Sequence, residues 1–310
     1  MSRIPVIFDC DTGVDDAVAL LALVHTPALE LRGCTCVRGN AALEKTVMNT
    51  LHVLEVAGAD VPVYPGADKP LFFDPIPGAV SVHGVNGLGD IPYDTPKRAP
   101  ETKKAWDFIY EEAVRQQGRL QLIAVGPLTN LGRAFIKYKD LPGLIDRIVI
   151  MGGAASFGNV TAAAEFNVYA DPEAADIVFM SGVKVHMCGL DVTMKCYMDG
   201  DEIEKWADGG TACGVFARDV VQGTLRWSYG MGLPGMSMHD PCAVLYAAYP
   251  ELFRTDSVGV RVETKGRLTR GKTVTDFLSD KQFGFKNAEI VYDVDREAFR
   301  DKLTSLITAR

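Results

Sequence analysis

Short apolar runs alternate along the chain with longer segments whose apolar residues recur at helical spacing. The apolar runs predict buried strands at 5–8, 29–37, 62–64, 120–125, 148–151 and 184–188. Helical periodicity predicts a helix that begins near residue 17 and others at 42–57, 101–117, 127–138 and 172–180. Strands and helices that alternate in this way form a mostly parallel central sheet with helices on both faces. The predicted fold class is therefore α/β, open and Rossmann-like.

The C-terminal third departs from this rhythm. Residues 199–228 are predicted to be helical, and 228–238 to form a connector. Beyond them we predict a helix at 240–249, short β segments near 257–263, 272–276 and 288–293, and a final helix at 295–309. Long irregular stretches, 65–100 and 152–171, lie earlier, and loops of that length are usually functional. No repeat or linker divides the chain, so we expect one domain over 1–310, with small β additions near the C-terminus.

Four carboxylates fall within eight positions at the end of the first predicted strand. Asp9, Asp11, Asp15 and Asp16 surround the turn Thr12-Gly13, and ligands of open α/β sheets bind at this end of the strands. Crowded carboxylates either raise one another's pKa or hold a cation, and oxygen ligands favour Ca²⁺ or Mg²⁺. An acidic helix N-terminus would explain Asp15 and Asp16 alone. It leaves Asp9 and Asp11 unexplained, so a metal site is the favoured interpretation.

Composition limits the kinds of binding partner and indicates the cellular compartment. The chain has 310 residues, of which 47% are hydrophobic and 23% charged, and its net charge of −8 argues against nucleic acid as a partner. The first residues contain no apolar signal segment, and no apolar run is long enough to span a membrane. The seven cysteines are scattered, as buried, reduced thiols would be. We therefore expect a cytoplasmic protein with no membrane partner.

Further polar residues stand where other predicted strands end or in glycine-rich loops. They are Asn40, Gly126–Asn130, Met151–Gly153, Glu165–Asn167 and His239–Asp240, with His83 in the first long loop. Their positions are those that a site at one edge of the sheet requires. Plainer explanations exist, since Asp240 before Pro241 is also an ordinary helix start. A lone histidine such as His83 is more often a loop residue than a catalyst.

Taken together, these pieces resemble the inosine–uridine-preferring nucleoside hydrolases. The run Asp9–Asp16 matches that family's D-x-D-P-G-x-D-D signature. Further matches follow in the family's order over essentially the whole chain: Gly39-Asn40, His83-Gly84, Gly126–Asn130, Met151–Gly153, Gly158-Asn159, Ala164–Asn167, Asp171–Ala175 and His239–Ala243. Thr12 replaces the usual proline, and Val125 stands where the family often has threonine. Residues 227–238 have their own sequence, which leaves the base preference open.

The resemblance implies a calcium-dependent enzyme that hydrolyses the N-glycosidic bond of ribonucleosides such as inosine and uridine. The implied Ca²⁺ ligands are the carboxylates of Asp11, Asp16 and Asp240 and the carbonyl of Val125. The implied ribose contacts are Asp15, Asn40, Met151, Asn159, Glu165 and Asn167. Oxocarbenium-like chemistry suits these roles, with Asp11 as the general base that activates water.

The departing base needs its own set of residues. The resemblance makes His239 the candidate acid, because the pKa range of histidine suits proton transfer near neutral pH. His83 is expected to close over the base. Trp227 and Tyr229, in the variable loop, are candidates for base contacts, although packing explains each equally well.

Two other functions fit parts of the sequence. A phosphatase of the haloacid dehalogenase type also begins with a strand that ends in Asp-x-Asp-x-Thr, but no convincing late acidic pair follows, and Asp15 and Asp16 stay unexplained. A non-catalytic nucleoside- or calcium-binding protein would need Asp16 and Asp240 but no general base, and Asp11 is present. The family resemblance also implies a homodimer or homotetramer, and the expected partner is a small ribonucleoside.

Overall fold

The computed structural model describes residues 3–278 and 282–309. Its strands are Ile4–Cys10 (β1), Leu29–Cys36 (β2), Val63–Pro65 (β3), Leu120–Ala124 (β4), Ile145–Met151 (β5), Val185–Cys188 (β6), Tyr197–Met198 (β7), Met236–Ser237 (β8), Phe253–Val262 (β9), Thr273–Asp276 (β10) and Ala288–Val294 (β11).

The helices before residue 180 are Val14–Val24 (α1), Leu43–Val56 (α2), Val80–His83 (α3), Ala105–Gln116 (α4), Thr129–Lys137 (α5), Phe166–Ala170 (α6) and Pro172–Phe179 (α7). The later helices are Leu190–Thr193 (α8), Gly200–Glu204 (α9), Ala212–Val220 (α10), Gln222–Gly230 (α11), His239–Ala248 (α12) and Arg296–Ile307 (α13). Short 3₁₀ helices lie at Leu141–Leu144, Lys205–Ala207 and Pro250–Leu252.

Nine strands form one central sheet in the order β10-β9-β11-β6-β5-β4-β1-β2-β3. All neighbours from β3 across to β11 pair in parallel, and β9 and β10 add antiparallel strands at one edge. The predicted α/β class with a mostly parallel sheet is confirmed. β2 and β4 lie on opposite sides of β1, so the strand order reverses there. In open α/β sheets, that reversal marks the place where ligands bind.

Helices cover both faces of the sheet. Val6 and Phe8 of β1 belong to one buried cluster, and Ile7 belongs to another, because successive side chains of a strand point to opposite faces. α1 lies in the first cluster and is buried from Val14 to Leu23. A helix that is apolar nearly all round requires such a position. β1 and α1 are therefore held rigidly, and so is the turn between them.

The structure refines several predicted boundaries. The long stretch 65–100 contains the short helix α3, and 152–171 contains α6. Helical structure in 199–228 is divided into separate pieces, and Gly210, with a φ of +63°, lies between the 3₁₀ helix Lys205–Ala207 and α10. The two-residue strands β7 and β8 are too short to give a period-2 signal and were not predicted. Among the described residues, no helix has the length and apolar character needed to cross a membrane.

Candidate active site

The turn between β1 and α1 carries the acidic residues. β1 ends at Cys10 and α1 begins at Val14, with Gly13 as an extended N-cap residue. Asp16 closes the turn from within the helix. Its Oδ1 accepts a hydrogen bond from the backbone N–H of Asp11 at 3.1 Å, and its Oδ2 accepts one from that of Gly13 at 2.9 Å. The carboxylate of Asp16 therefore caps the N-terminus of α1 and also belongs to the candidate metal site. The helix-start interpretation and the metal-site interpretation of the acidic run each explain part of this arrangement.

A cluster of buried carboxylates forms where this turn meets the start of α12. Asp15, Asp16 and Asp240 each offer an oxygen, and the three oxygens lie within 4.8 Å of one another. Burial is the largest cause that raises the pKa of these groups and of Asp11. The charge of a neighbouring aspartate raises it further for Asp11, Asp16 and Asp240, and the pKa of Asp16 reaches about 7. A cation held among these oxygens would offset both effects.

Asp11 is held by one carboxylate oxygen. Its Oδ2 accepts a 2.6 Å hydrogen bond from the backbone N–H of Asn40. Its Oδ1 is buried and has no hydrogen-bond partner within the described residues. A Cβ atom on Gly39 would overlap Oδ2, and one on Gly126 would lie 2.8 Å from Oδ1, so both positions need glycine. A buried oxygen without a donor is costly, and it therefore fits a place that a cation or water occupies.

The carbonyl of Val125 has a partner in the loop after β5. Val125 follows β4, and its N–H donates to the carbonyl of Asp9 at 2.8 Å. Its own carbonyl accepts a 2.8 Å hydrogen bond from Nδ2 of Asn167, which also donates to the carbonyl of Met151 at 3.1 Å. One side-chain amide thus joins the ends of β4 and β5. A carbonyl oxygen has two lone pairs, so this bond leaves one of them available on Val125.

Glu165 organises the loop after β5. It is the N-cap of α6, and its carboxylate accepts backbone hydrogen bonds from Gly153 at 2.8 Å and Asn167 at 2.9 Å. Burial raises the pKa of Glu165 to about 7, although these bonds oppose the rise. Asn159 is exposed, and its Oδ1 accepts the N–H of Phe166 at 3.0 Å. The described contacts of Asn159 and Glu165 are structural, and their predicted ribose contacts stay predictions.

Two histidines from different elements lie near Asp15. Nδ1 of His83 lies 4.0 Å from Oδ1 of Asp15 and accepts the N–H of Val14 at 3.0 Å. That bond assigns the proton of the neutral His83 ring to Nε2, and burial lowers the pKa of His83 to about 4. Nδ1 of His239 lies 2.8 Å from Oγ1 of Thr193. Burial lowers the pKa of His239, and the charge of Asp15 partly opposes that shift.

The candidate base-contacting residues of the variable loop lie on α11. Trp227 is 40% exposed and Tyr229 is 47% exposed. The hydroxyl of Tyr229 accepts the N–H of Gly200 at 2.9 Å, which joins α11 to α9. Within the described part of the chain, no hydrogen bond connects either side chain to the aspartates. The structure therefore supports a packing role for Tyr229, and a base contact for either residue stays a prediction.

Asp9 belongs to the acidic run but has separate partners. Its Oδ1 accepts hydrogen bonds from Oγ1 of Thr35 at 2.5 Å and Nδ2 of Asn130 at 2.8 Å. Burial raises the pKa of Asp9 to about 7. Asn130 also donates to the carbonyl of Cys36 at 3.0 Å, so it joins β1, β2 and α5. Sequence reasoning noted Asn130 only as part of a motif. It assigned no role to Thr193, for which the sequence carries no signal.

These features define an open α/β protein with a candidate metal centre at the point where the strand order reverses. The family model for inosine-uridine preferring nucleoside hydrolase matches residues 6–301. The chain therefore belongs to the nucleoside hydrolase family, and the predicted enzyme class is confirmed. The match spans nearly the whole chain, and it leaves no support for the phosphatase alternative.

Proteins similar to this chain are also nucleoside hydrolases. The pyrimidine-specific ribonucleoside hydrolase RihA of Citrobacter koseri is 39% identical over 305 residues, which cover 97% of this chain and 96% of the relative. A plant nucleoside hydrolase structure superposes with a TM-score of 0.95 at 29% identity, with 100% of both chains covered. A purine-preferring ribonucleoside hydrolase from Gardnerella vaginalis gives a TM-score of 0.93 at 33% identity, with 98% of both chains covered.

Proposed function

We propose that this protein catalyses the calcium-dependent hydrolysis of the N-glycosidic bond of ribonucleosides, which releases a free base and ribose. The observation that carries the proposal is the buried carboxylate cluster, with Oδ1 of Asp11 unpaired beside it, at the ligand-binding edge of the sheet. The family match and the named relatives support the same reaction.

The donor set supports calcium as the cofactor. Carboxylates of Asp11, Asp16 and Asp240 and the carbonyl of Val125 are hard oxygen donors of the kind that Ca²⁺ prefers. Oδ1 of Asp11 is buried and unpaired, and the glycines at 39 and 126 leave space beside the Asp11 carboxylate. Both features fit such an ion. When bound, calcium would neutralise the cluster and supply coordination positions for ribose hydroxyls and a water.

Asp11 is suited to act as the general base. Its Oδ2 is fixed by the N–H of Asn40, whereas its Oδ1 has no described donor, so with one lone pair on a cation it would keep a second for a proton. A carboxylate held in this way presents one defined lone-pair direction to an attacking water. General base catalysis of this type contributes about 10²–10⁴-fold to a rate.

The ribose is expected to lie between the carboxylates and the loop after β5. Asp15 and Asn40 would contact it from the first side, and Glu165, Asn167 and Asn159 from the second. Met151 would place a polarizable side chain beneath the sugar. Because positive charge develops on the ribosyl group as the bond breaks, buried negative and polar groups at this place would stabilise the oxocarbenium-like transition state.

The base is expected to lie on the side of the two histidines. His239 would serve as the donor to the leaving base, and His83 would close over it. Both lie near Asp15, the expected ribose contact, so a nucleoside bound through its sugar would place its base within their reach. Named relatives differ in base preference, since one is called pyrimidine-specific and another purine-preferring. We therefore propose both inosine and uridine as substrates.

One panel of substrates tests this proposal. Purified protein is incubated with inosine, uridine and p-nitrophenyl phosphate, and free ribose, free base and free phosphate are measured. We expect ribose and base from the nucleosides and no phosphate. Binding of nucleosides without ribose release would instead identify a non-catalytic binding protein. The proposed homodimer or homotetramer and the cytoplasmic location are tested separately, by sedimentation and by cell fractionation.

A further inference from the structure

A buried threonine contacts the histidine that is expected to serve the leaving base. Thr193 ends the short helix α8, which follows β6, and His239 begins α12, 46 residues later in the chain. Oγ1 of Thr193 lies 2.8 Å from Nδ1 of His239. The Thr193 side chain is completely buried, whereas His239 is partly exposed. The Thr193 contact is therefore on the inner edge of the histidine ring.

The direction of this hydrogen bond follows from what each atom can do. A threonine hydroxyl can donate one proton, and a buried hydroxyl whose proton finds no acceptor destabilises the fold. Among the described hydrogen bonds of Thr193, Nδ1 of His239 is the acceptor available to that proton. If Nδ1 carried the ring proton instead, the hydroxyl proton would be left buried and unpaired. The hydroxyl must therefore donate, and Nδ1 must accept.

We propose that Thr193 is a positioning residue that holds the His239 ring with its proton on Nε2, where it can form a hydrogen bond to the leaving base. This inference rests on the proposed function, because it specifies how His239 carries out its part. Nε2 lies on the edge of the ring away from Thr193. As negative charge develops on the departing base, a hydrogen bond from a preoriented Nε2–H strengthens. This bond therefore stabilises the transition state more than it stabilises the bound substrate.

His83 shows the same arrangement with a backbone donor. Its Nδ1 accepts the N–H of Val14, so its neutral ring also carries the proton on Nε2. Both histidines near Asp15 would thus present Nε2–H groups, one fixed by a helix N-terminus and the other by a side-chain hydroxyl. The hydrogen bond to His239 can be removed by the substitution Thr193→Val, which conserves shape because valine is nearly isosteric with threonine.

The test compares Thr193→Val with Thr193→Ser and with the wild type. Thr193→Val keeps the shape but removes the donor. We expect kcat for inosine to fall about 10–100-fold, by analogy with the loss when the partner that orients a metal-bound histidine is removed. KM should change little. Thr193→Ser restores the hydroxyl and should recover most of the activity. Thr26→Val removes another buried hydroxyl, which donates to the carbonyl of Ala22, and should leave kcat unchanged.

A second substrate separates positioning from simple structural damage. p-Nitrophenyl riboside has a leaving group that departs without a donor, so Thr193→Val should hydrolyse it as fast as the wild type does. An equal loss of activity on inosine and on p-nitrophenyl riboside would overturn the proposal, and so would full activity of Thr193→Val on inosine. Absence of ribose release by the wild type would instead contradict the proposed function.

A spectroscopic measurement tests the ring directly and needs no activity. The chain has five histidines, so nitrogen-15 labelling of histidine gives few signals, and His239→Ala identifies those of His239. We expect the wild-type neutral ring to carry its proton on Nε2 and the Thr193→Val ring to show a mixture of both tautomers. A wild-type ring with its proton on Nδ1 would overturn the proposal even if Thr193→Val failed to fold.

Discussion

The backbone N–H of Asn40 donates to Oδ2 of Asp11 over 2.6 Å and leaves Oδ1 of the same carboxylate buried without a described partner. One oxygen of Asp11 thus orients the carboxylate, and the other is the oxygen that we propose acts on the attacking water. Asn40 lies just beyond β2 and Asp11 just beyond β1, so the parallel pairing of these two strands creates the relationship. The same contact explains why the loop after β2 belongs to the site.

Replacement of Asp11 should abolish most activity. We expect Asp11→Ala to lower kcat for inosine by at least about 10²–10⁴-fold, because it removes the proposed base and a proposed calcium ligand together. Asp208→Ala, which removes an exposed carboxylate between α9 and α10, should leave kcat unchanged. A mutant that kept a third of the wild-type kcat with an unchanged circular dichroism spectrum would require another base.

The free energy of unfolding gives Asp11 a second, independent test. Because the burial of Asp11, and after it the charge of Asp16, raise the pKa of Asp11, the ionised group destabilises the metal-free fold. Asp11→Asn removes that charge with little change of shape. In the presence of a chelator, we expect urea unfolding to show this variant at least as stable as the wild type. A clear loss of stability would argue against repulsion within the cluster.

His239 should matter more for purines than for pyrimidines. Purine departure is assisted by a donor at the imidazole part of the base, whereas pyrimidine departure gains less from a donor at that place. We expect His239→Ala to lower kcat for inosine by one or more powers of ten and kcat for uridine by less, at saturating calcium. His25→Ala, a partly buried histidine at the end of α1, serves as the control. An equal loss for both nucleosides would remove His239 from this role.

The free energy of unfolding should depend on pH through His186, which lies on β6 and is not part of the carboxylate cluster. Burial, with the charges of Arg147 and Lys184, lowers the pKa of His186 to about 4, although Glu289 and Asp146 oppose the shift. Its Nδ1 lies 2.7 Å from the Tyr246 hydroxyl. The unfolded chain binds the proton near pH 6.5, so this stability is present above that pH and is lost as pH falls toward 4.

The His186 contribution can be isolated by difference. After allowance for solvent screening, it amounts to about 1–3 kcal/mol. We expect the free energy of urea unfolding to fall less between pH 7 and pH 4.5 in His186→Gln than in the wild type. Because the aspartate cluster titrates equally in both proteins, its effect cancels in the comparison. Identical pH dependence of the two proteins would show that His186 does not titrate in this way.

Much of the fold could be predicted from the sequence, because it depends on local patterns. The apolar run that forms β1 is buried on both faces, as a central parallel strand must be. The apolar residues of α1, which follows β1, recur at helical spacing. The β7–β8 pair could not be predicted, since Tyr197 and Ser237 meet only through the tertiary packing of two-residue strands. Gly210 lies at a break between helices that apolar spacing alone did not reveal.

Some residues of the candidate site could also be predicted from the sequence. Asp11 and Asp16 could be named from the acidic run, whereas Asp240 could be named only through the family resemblance of the His-Asp-Pro segment. The structure brings Asp16 and Asp240 together. The contact of Thr193 with His239 could not be foreseen. It depends on how α8 packs beside α12, and a threonine at the end of a short helix has no pattern that distinguishes it from a packing residue.

Removal and return of calcium test the central claim most directly. Protein purified without chelator is analysed for metal, and ribose release from inosine and uridine is measured before chelation, after chelation and after Ca²⁺ is added back. We expect about one Ca²⁺ per chain, from a single all-oxygen site. Ribose release should be lost with the metal and restored with Ca²⁺. Full ribose release by the metal-free protein would contradict the proposal that these buried carboxylates act by holding a cation.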